Sequence, residues 1–443
     1  MSSLKTRTVR SLLVAGAAIG ALTGCSVVSA STPTATPSAT SVAADADATS
    51  SLWDSSSVHE ISVEYEQSDY DAAIAEYLDS GEKVWISATV TIDGDTLENV
   101  GLKLKGNSSL RSLSATDDAE DLPWIIRLDK FVAGQNLDGA TEFVVRGNSS
   151  ETSLNEALAL DLLDASGLAA EQAIAVRFSA GGSEPTLRLV VENPGDEWAE
   201  SELGDVLLYK AEAGGDYSYR GDDEEAYVDV FDQEAGEDDL TPLIAFLEWI
   251  NEADDETFAD GLDEHLDVDA FATYLAFQEV VDNFDDIDGP GNNSYLSYDL
   301  ATGLMTVVTW DLNLAFGASP TGGGGGRAGG GGGERPDQPR DADTTDDGST
   351  DAAGTAGTQD AAVRGGGGPG GSNILAERFL AVDAFADLYT SEVSRLRAEL
   401  IESGEAASLL DAWSEVLSSQ ASDLVSAATI REEAEALAGK LDG

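Results

Sequence analysis

Apolar positions along the chain recur with two periods, and the period changes near the middle. Residues 59–65 alternate apolar and polar, as a half-buried strand does, and 70–78 have helical spacing. Two strand-like runs, 84–92 and 97–104, flank Asp93-Gly94-Asp95, a hairpin signal. Residues 124–128 and 143–145 predict further strands. A helix follows, with Leu154, Leu158 and Leu162 on its apolar face. Ser153 and Glu156 predict a capping box at its start. Residues 173–178 and 187–191 predict strands paired across Gly181-Gly182, and 206–209 a short strand ending at Lys210.

From 240 to 281 the spacing is helical: Leu243, Phe246, Leu247 and Ile250, then Phe271, Leu275, Phe277 and Val280. Residues 295–298 and 305–310 predict a second hairpin turning at Ala301-Thr302-Gly303, and 374–441 are helical again. Residues 317–372 are rich in Gly, Asp, Thr and Arg without apolar pattern, which predicts a disordered insertion. The expected fold is α+β over residues 57–441, a mixed-sheet N-terminal half and a helical C-terminal half.

The first 25 residues stand apart. Lys5, Arg7 and Arg10 precede an apolar run from Leu12 to Leu22, and Leu22-Thr23-Gly24-Cys25 ends it. This is the shape of a secretory signal with a lipoprotein cleavage site. The run is too short for a comfortable membrane span, which needs about 20 residues. Cys25 is the single cysteine and sits where a lipid would be attached, so no disulfide supports the fold. Residues 26–56, rich in Ser, Thr, Ala and Pro, read as a flexible tether. The expected location is the extracytoplasmic face of the cell membrane, with the lipid as the only membrane contact.

Charge narrows the chemistry. With 84 acidic against 23 basic residues the net charge is −61. Nucleic acid is thereby disfavoured as a partner, because phosphate backbones need cationic faces. Most of these carboxylates serve solubility, but their distribution is uneven. Ten basic residues lie between Lys103 and Arg220, and none between 221 and 326. Two histidines, His59 and His265, leave little for zinc. A Ser-His-Asp site through His265 has no Gly-x-Ser-x-Gly to support it. Carboxylates, amides and a few cations remain, a set suited to oxygen-ligand metals and phosphate chemistry.

The densest cluster is the loop 281–293, where Asp282, Asp285, Asp286 and Asp288 fall within seven residues. With no local cation to offset their repulsion, a divalent metal would satisfy them, although a solvated turn or a structural Ca²⁺ loop has the same composition. A hairpin follows, and Asp311 ends its second strand. Asp288 and Asn293 are five residues apart, and a protein kinase spaces its base Asp, metal-binding Asn and second metal-binding Asp in this order. In the N-terminal half, Lys103-Leu104-Lys105-Gly106-Asn107-Ser108-Ser109 runs from a strand into a small-residue loop suited to wrapping phosphates. Arg127, Lys130 and Lys210 add positive charge. Arg146-Gly147-Asn148-Ser149-Ser150 repeats the string, as turn chemistry or as a second functional loop.

Together these segments resemble the CotH kinase family, named for spore coat protein H. The similarity runs through 102–109, 125–131, 154–167, 190–193, 207–210, 288–298 and 307–317, continues over 373–389, and covers most of the chain. Its most specific pieces are Lys-Gly-Asn-Ser-Ser, Asn292-Asn293-Ser294-Tyr295-Leu296 and Trp310-Asp311-Leu312-Asn313-Leu314-Ala315-Phe316-Gly317. The resemblance implies an atypical protein-kinase-like fold that uses ATP and Mg²⁺ or Mn²⁺ to phosphorylate Ser or Thr of a protein substrate. By carry-over Asp288 is the catalytic aspartate, with Asp285 or Asp286 as alternatives. Asp311 binds metal with help from Asn293. Lys105, Gly106, Asn107, Ser108, Arg127, Glu192 and Lys210 hold the nucleotide. Arg127 stands where the family has lysine, which leaves Lys105 and Lys210 as the other phosphate-binding cations. Two further readings remain: a non-catalytic envelope protein that keeps this fold, and a glycan hydrolase with two acids flanking an open groove and no use for the basic N-terminal loop.

Overall fold

The computed structural model describes residues 41–42, 51–106, 109–110, 113–212, 215–289, 293–318 and 373–441. The signal segment with Cys25, most of the tether, Asn107, Ser108 and nearly all of the insertion lie outside the described residues. Folded contacts begin within the span read as tether: Leu52 is buried against the first core. Among the described residues, no helix is long and apolar enough to cross a membrane.

Seven strands form a closed barrel: β1 (Val58–Tyr65), β2 (Ile86–Ile92), β3 (Asp95–Leu104), β4 (Trp124–Arg127), β5 (Glu142–Val145), β6 (Ala173–Ala180) and β7 (Thr186–Glu192). Around it the order is β1-β2-β3-β4-β5-β7-β6. The expected mixed sheet is thus not open. Alternation along β1 shows which residues face inward but not its second neighbour, and β1 pairs antiparallel with β2 and parallel with β6. The β2–β3 turn carries Asp93 and Gly94 at φ 49° and 96°, the left-handed pair that a two-residue hairpin needs. Inward residues, among them Val63, Val90, Trp124, Ile126, Phe143 and Val145, fill the barrel.

The outer face does other work. Ile125 and Val144 point away from the barrel core and pack against Val206 and Leu208 of β8 (Val206–Ala211), Tyr295 of β10 (Ser294–Asp299) and Trp310. A second, antiparallel sheet has the order β9-β8-β10-β11, with β9 (Phe231–Ala235) and β11 (Met305–Thr309) at its edges. Alternate residues of β8, Leu207 and Tyr209, face the opposite way into a core with α4 (Thr241–Glu252) and α6 (Val268–Val280). A third core joins α2 (Leu154–Ser166) to the remaining outer face of the barrel and to the C-terminal helices, including Glu405–Gln420 and Ala427–Leu441.

Two local expectations change. β9, Phe-Asp-Gln-Glu-Ala, has too few apolar residues to show as a strand in sequence and is held by pairing with β8. The capping box does not form: Ser153 has φ 54° and makes no side-chain cap. Thr152 Oγ1 accepts from Leu154 N instead, at 3.3 Å. Glu156 turns inward because a buried guanidinium, that of Arg146, binds its carboxylate.

Candidate active site

Strand alternation sets one wall of the site. β3, β4 and β5 pair with Leu104 opposite Trp124 and Trp124 opposite Val145. Those residues face inward, so Lys103 and Lys105, Arg127, and Arg146 just past β5 lie on the outer row with Ile125 and Val144. Lys105 N donates to Pro123 O at 3.0 Å, which fixes the backbone beyond β3. The Lys105 ammonium lies 4.9 Å from the centroid of the Trp310 ring. Its stem is partly exposed, but its charged end is enclosed. Burial first, and then Lys210, push its pKa down to about 7, against the pull of Glu234 and Asp311. Lys210 pairs with Glu212 and lies 4.0 Å from Glu234.

The other wall comes from the acidic loop and the segment after β11. Asp311 adopts the left-handed region at φ 62°, which aspartate tolerates better than most side chains. Gly317 N donates to Asp282 O at 2.9 Å, and Phe316 N to Val281 O, so the two segments are tied together. Asn293 donates to the backbone oxygen and to Oδ2 of Asp285, each at 2.9 Å. Burial and the nearby Asp311 raise the Asp285 pKa.

Arg146 joins the walls. Its guanidinium is buried, bonded to Glu156 at 2.6 Å and to Asp311. Burial alone would lower its pKa, but Asp311 and Glu156 outweigh that and hold it fully charged. Behind it Glu171 is buried, with Oε1 lacking a partner, and burial pushes its carboxyl up to about 8.

Two cavities lie among these groups, and Lys105 is itself among the lining residues of neither. One, of about 530 Å³, is lined by Ser109, Pro123, Gly147, Ser149, Asp285, Asp311 and Asn313. The other, of about 340 Å³, is lined by Arg127, Glu142, Glu192, Asn193, Gly195 and Glu234. Asn193 is buried there. Its Nδ2 donates to Glu142 at 2.8 Å while its Oδ1 has no partner. Burial raises the pKa of Glu142 and Glu234, and that of Glu192 to about 7.

The expected site residues therefore divide. Asp285 and Asp311 share one cavity, with Asn293 bonded to Asp285. Arg127 and Glu192 share the other, and Lys105 and Lys210 neighbour Glu234. Arg127 is itself paired with Asp129 at 2.8 Å and Glu142 at 3.5 Å. Gly106 has φ 91°, and a side chain there would collide with Ser109, so only glycine fits this turn. Asp288 is not among the residues lining either cavity. It sits beside Asp286, whose pKa burial and then Asp288 push up to about 7. Glu142, Asn193 and Glu234 were not singled out from the sequence as site residues; Glu156 was read only as half of a capping box, and Arg146 only as the start of the repeated Gly-Asn-Ser-Ser string.

Among the described residues no group of three or more His, Cys, Asp or Glu is arranged to hold a metal. Asp311, Asp285 and the Asn293 amide oxygen are nonetheless hard oxygen donors, matching an ion held by one or two carboxylates plus substrate phosphates and water.

A barrel and a second sheet, with buried cations and neighbouring aspartates between them, define an α+β protein. The family described as CotH kinase protein matches residues 102–436, most of the chain, and the chain belongs to that family. No curated protein matches it.

Proposed function

We propose that the protein transfers the γ-phosphoryl group of ATP to Ser or Thr of a protein substrate, in a metal-dependent reaction. The observation that carries this reading is the enclosed ammonium of Lys105, which feels the charge of Glu234, a residue lining the smaller cavity, and of Asp311, a residue lining the larger. The smaller cavity suits the nucleoside, with Asn193 Oδ1 free to accept from a base amine or a ribose hydroxyl. Lys105 and Lys210 then receive the phosphates. Asp311, with Asn293, would hold the Mg²⁺ or Mn²⁺, which would neutralise charge on the phosphate oxygens. Asp285 is favoured over Asp288 as the base because it lines the larger cavity beside Asp311. It takes the acceptor proton as the oxygen–phosphorus bond forms and the bond to the leaving ADP breaks. Its raised pKa suits that proton transfer. A lipid on Cys25 would present the reaction at the extracytoplasmic face of the membrane.

A non-catalytic relative is the second reading. The Arg146–Asp311 ion pair favours it, since a metal must compete with a buried guanidinium for the same carboxylate. One experiment separates the two. The protein is incubated with labelled ATP, Mg²⁺ or Mn²⁺ and a Ser-rich acceptor, beside an Asp311→Ala control. Label transfer that the control loses supports the kinase. Absence of nucleotide binding in a thermal-shift titration sinks it.

A further inference from the structure

The helix Ala427–Leu441 lines neither cavity of the cleft, yet two of its charged side chains hold the backbone around it. Ile430 and Leu437 are buried and anchor the helix. Glu433 accepts from Glu151 N at 3.0 Å, from Thr152 N at 3.1 Å and from the Thr152 hydroxyl. That hydroxyl in turn accepts from Leu154 N. The start of α2, where the Ser153 cap fails, is therefore held by a carboxylate from another helix. The first turn of α2 carries two groups that reach the cleft. Glu156 binds Arg146, and Asn155 Nδ2 donates to Asn313 O at 2.7 Å. Two turns beyond Glu433, on the same helix, the Lys440 ammonium donates to Phe316 O.

Both ties lead to Asp311. Its carboxylate binds Arg146, and five residues on Phe316 shares its left-handed backbone, at φ 60° against 62°. A bulky side chain disfavours that region, and such a backbone persists only where surrounding contacts hold it. Phe316 N is committed to Val281 O and its carbonyl to Lys440. We propose that Glu433 and Lys440 are positioning residues: one through the start of α2, the other through the Phe316 carbonyl, they fix Asp311 relative to Arg146. One helix thereby sets both walls of the larger cavity, whose lining includes Gly147, Ser149, Asp311 and Asn313. The smaller cavity is lined by none of residues 146–156 or 311–317. Loss of either tie should therefore slow turnover and leave nucleoside binding unchanged. The kinetic part of this inference rests on the proposed phosphoryl transfer, whereas the structural part stands without it.

The test measures amide hydrogen exchange of the full chain beside label transfer from ATP, with melting followed in parallel. Lys440→Ala should speed exchange of the Phe316 and Gly317 amides about fivefold or more, and Glu433→Ala that of residues 154–157 and 313–317. Lys440→Arg keeps a charged donor and should restore most of the protection. Glu433→Gln keeps one acceptor oxygen and should fall between the parent and Glu433→Ala. Each alanine variant should lower kcat about fivefold, while KM for ATP changes less than about twofold. The matched control is Arg431→Ala with Glu435→Ala, an exposed pair on the same helix, 3.8 Å apart. It should change exchange and turnover less than about twofold. Equal loss in the control, faster exchange throughout the chain, or parent-like exchange at 313–317 in both alanine variants overturns the proposal. So does a rise in KM for ATP as large as the fall in kcat. If the parent transfers no label, the phosphoryl-transfer reading fails, and the exchange pattern alone decides whether Glu433 and Lys440 position the cleft.

Discussion

The two walls of the cleft solve opposite problems. The barrel wall carries cations on buried ground: Arg146 is nearly enclosed, and the Lys105 ammonium is pressed toward neutrality. The loop wall carries Asp285, Asp286 and Asp288, all with raised pKa values, in a stretch without a single Lys or Arg. Neither wall is electrostatically satisfied alone. Arg146 reaches Asp311 across the gap, 165 positions away in sequence. The lesson is that the Arg146–Asp311 end of this cleft is neutralised by tertiary contact, whereas Arg127 and Lys210 also pair locally, with Asp129 and Glu212. On the proposed reading, a phosphate with its metal would complete both walls at once.

That contrast can be broken from the loop side with the largest effect. Asp285→Asn and Asp311→Asn should each lower phosphoryl transfer by about 10²–10³-fold, measured as label incorporated from ATP. Asp288→Asn should cost less than about tenfold. If Asp288→Asn is the more damaging, the base is Asp288 and the cavity geometry misleads.

From the barrel side, Arg146→Ala strands Glu156 and Asp311. It should cost about 3–5 kcal/mol in chemical denaturation. Arg146→Met combined with Glu156→Leu should recover part of that loss, because the buried Glu156 charge is then gone, while Asp311 stays charged and partly solvated.

Lys105 sharpens the comparison through protons. Its pKa near 7 in the free protein must rise when phosphates bind beside it. Between the two values the complex holds a proton that the free protein lacks. Nucleotide binding near pH 8 should therefore take up about one proton, read by calorimetry in buffers of different ionisation enthalpy. Lys105→Arg should abolish the uptake, since arginine stays charged throughout.

The smallest effect lies far from the cleft, at the barrel's first strand. His59 Nδ1 donates to Asp93 Oδ2 at 2.6 Å, and its Nε2 donates to Asp54 O at 3.0 Å. Burial would lower its pKa, but these partners raise it above 6.5. The stability it contributes is therefore fully present below the unfolded value of about 6.5 and lost as pH rises through the folded value. Asp93 is shifted down, burial notwithstanding, because His59 and Glu60 N favour its charged form. Its share appears above about pH 4 and is lost as pH falls through the folded value. The pair should matter most between those limits, at about 1 kcal/mol, and His59→Gln should flatten the pH dependence of melting there.

Much of this was written in local pattern. Alternation and turn chemistry mark β1 to β3, and Asp93-Gly94 fixes their hairpin because few other dipeptides accept two left-handed positions. Helical spacing marks α4 and α6 through Leu243, Phe246, Leu247 and Ile250. Asp311 follows a legible strand, and the family strings around it carried its assignment. These signals are short-range, and short-range sterics and burial suffice to produce them. Closure of the barrel, the strand β9, the failed cap at Ser153 and the meeting of Arg146 with Asp311 were decided only by the tertiary structure. Each depends on partners far apart in sequence, and the energy of a buried charge is set by whichever group the fold brings beside it.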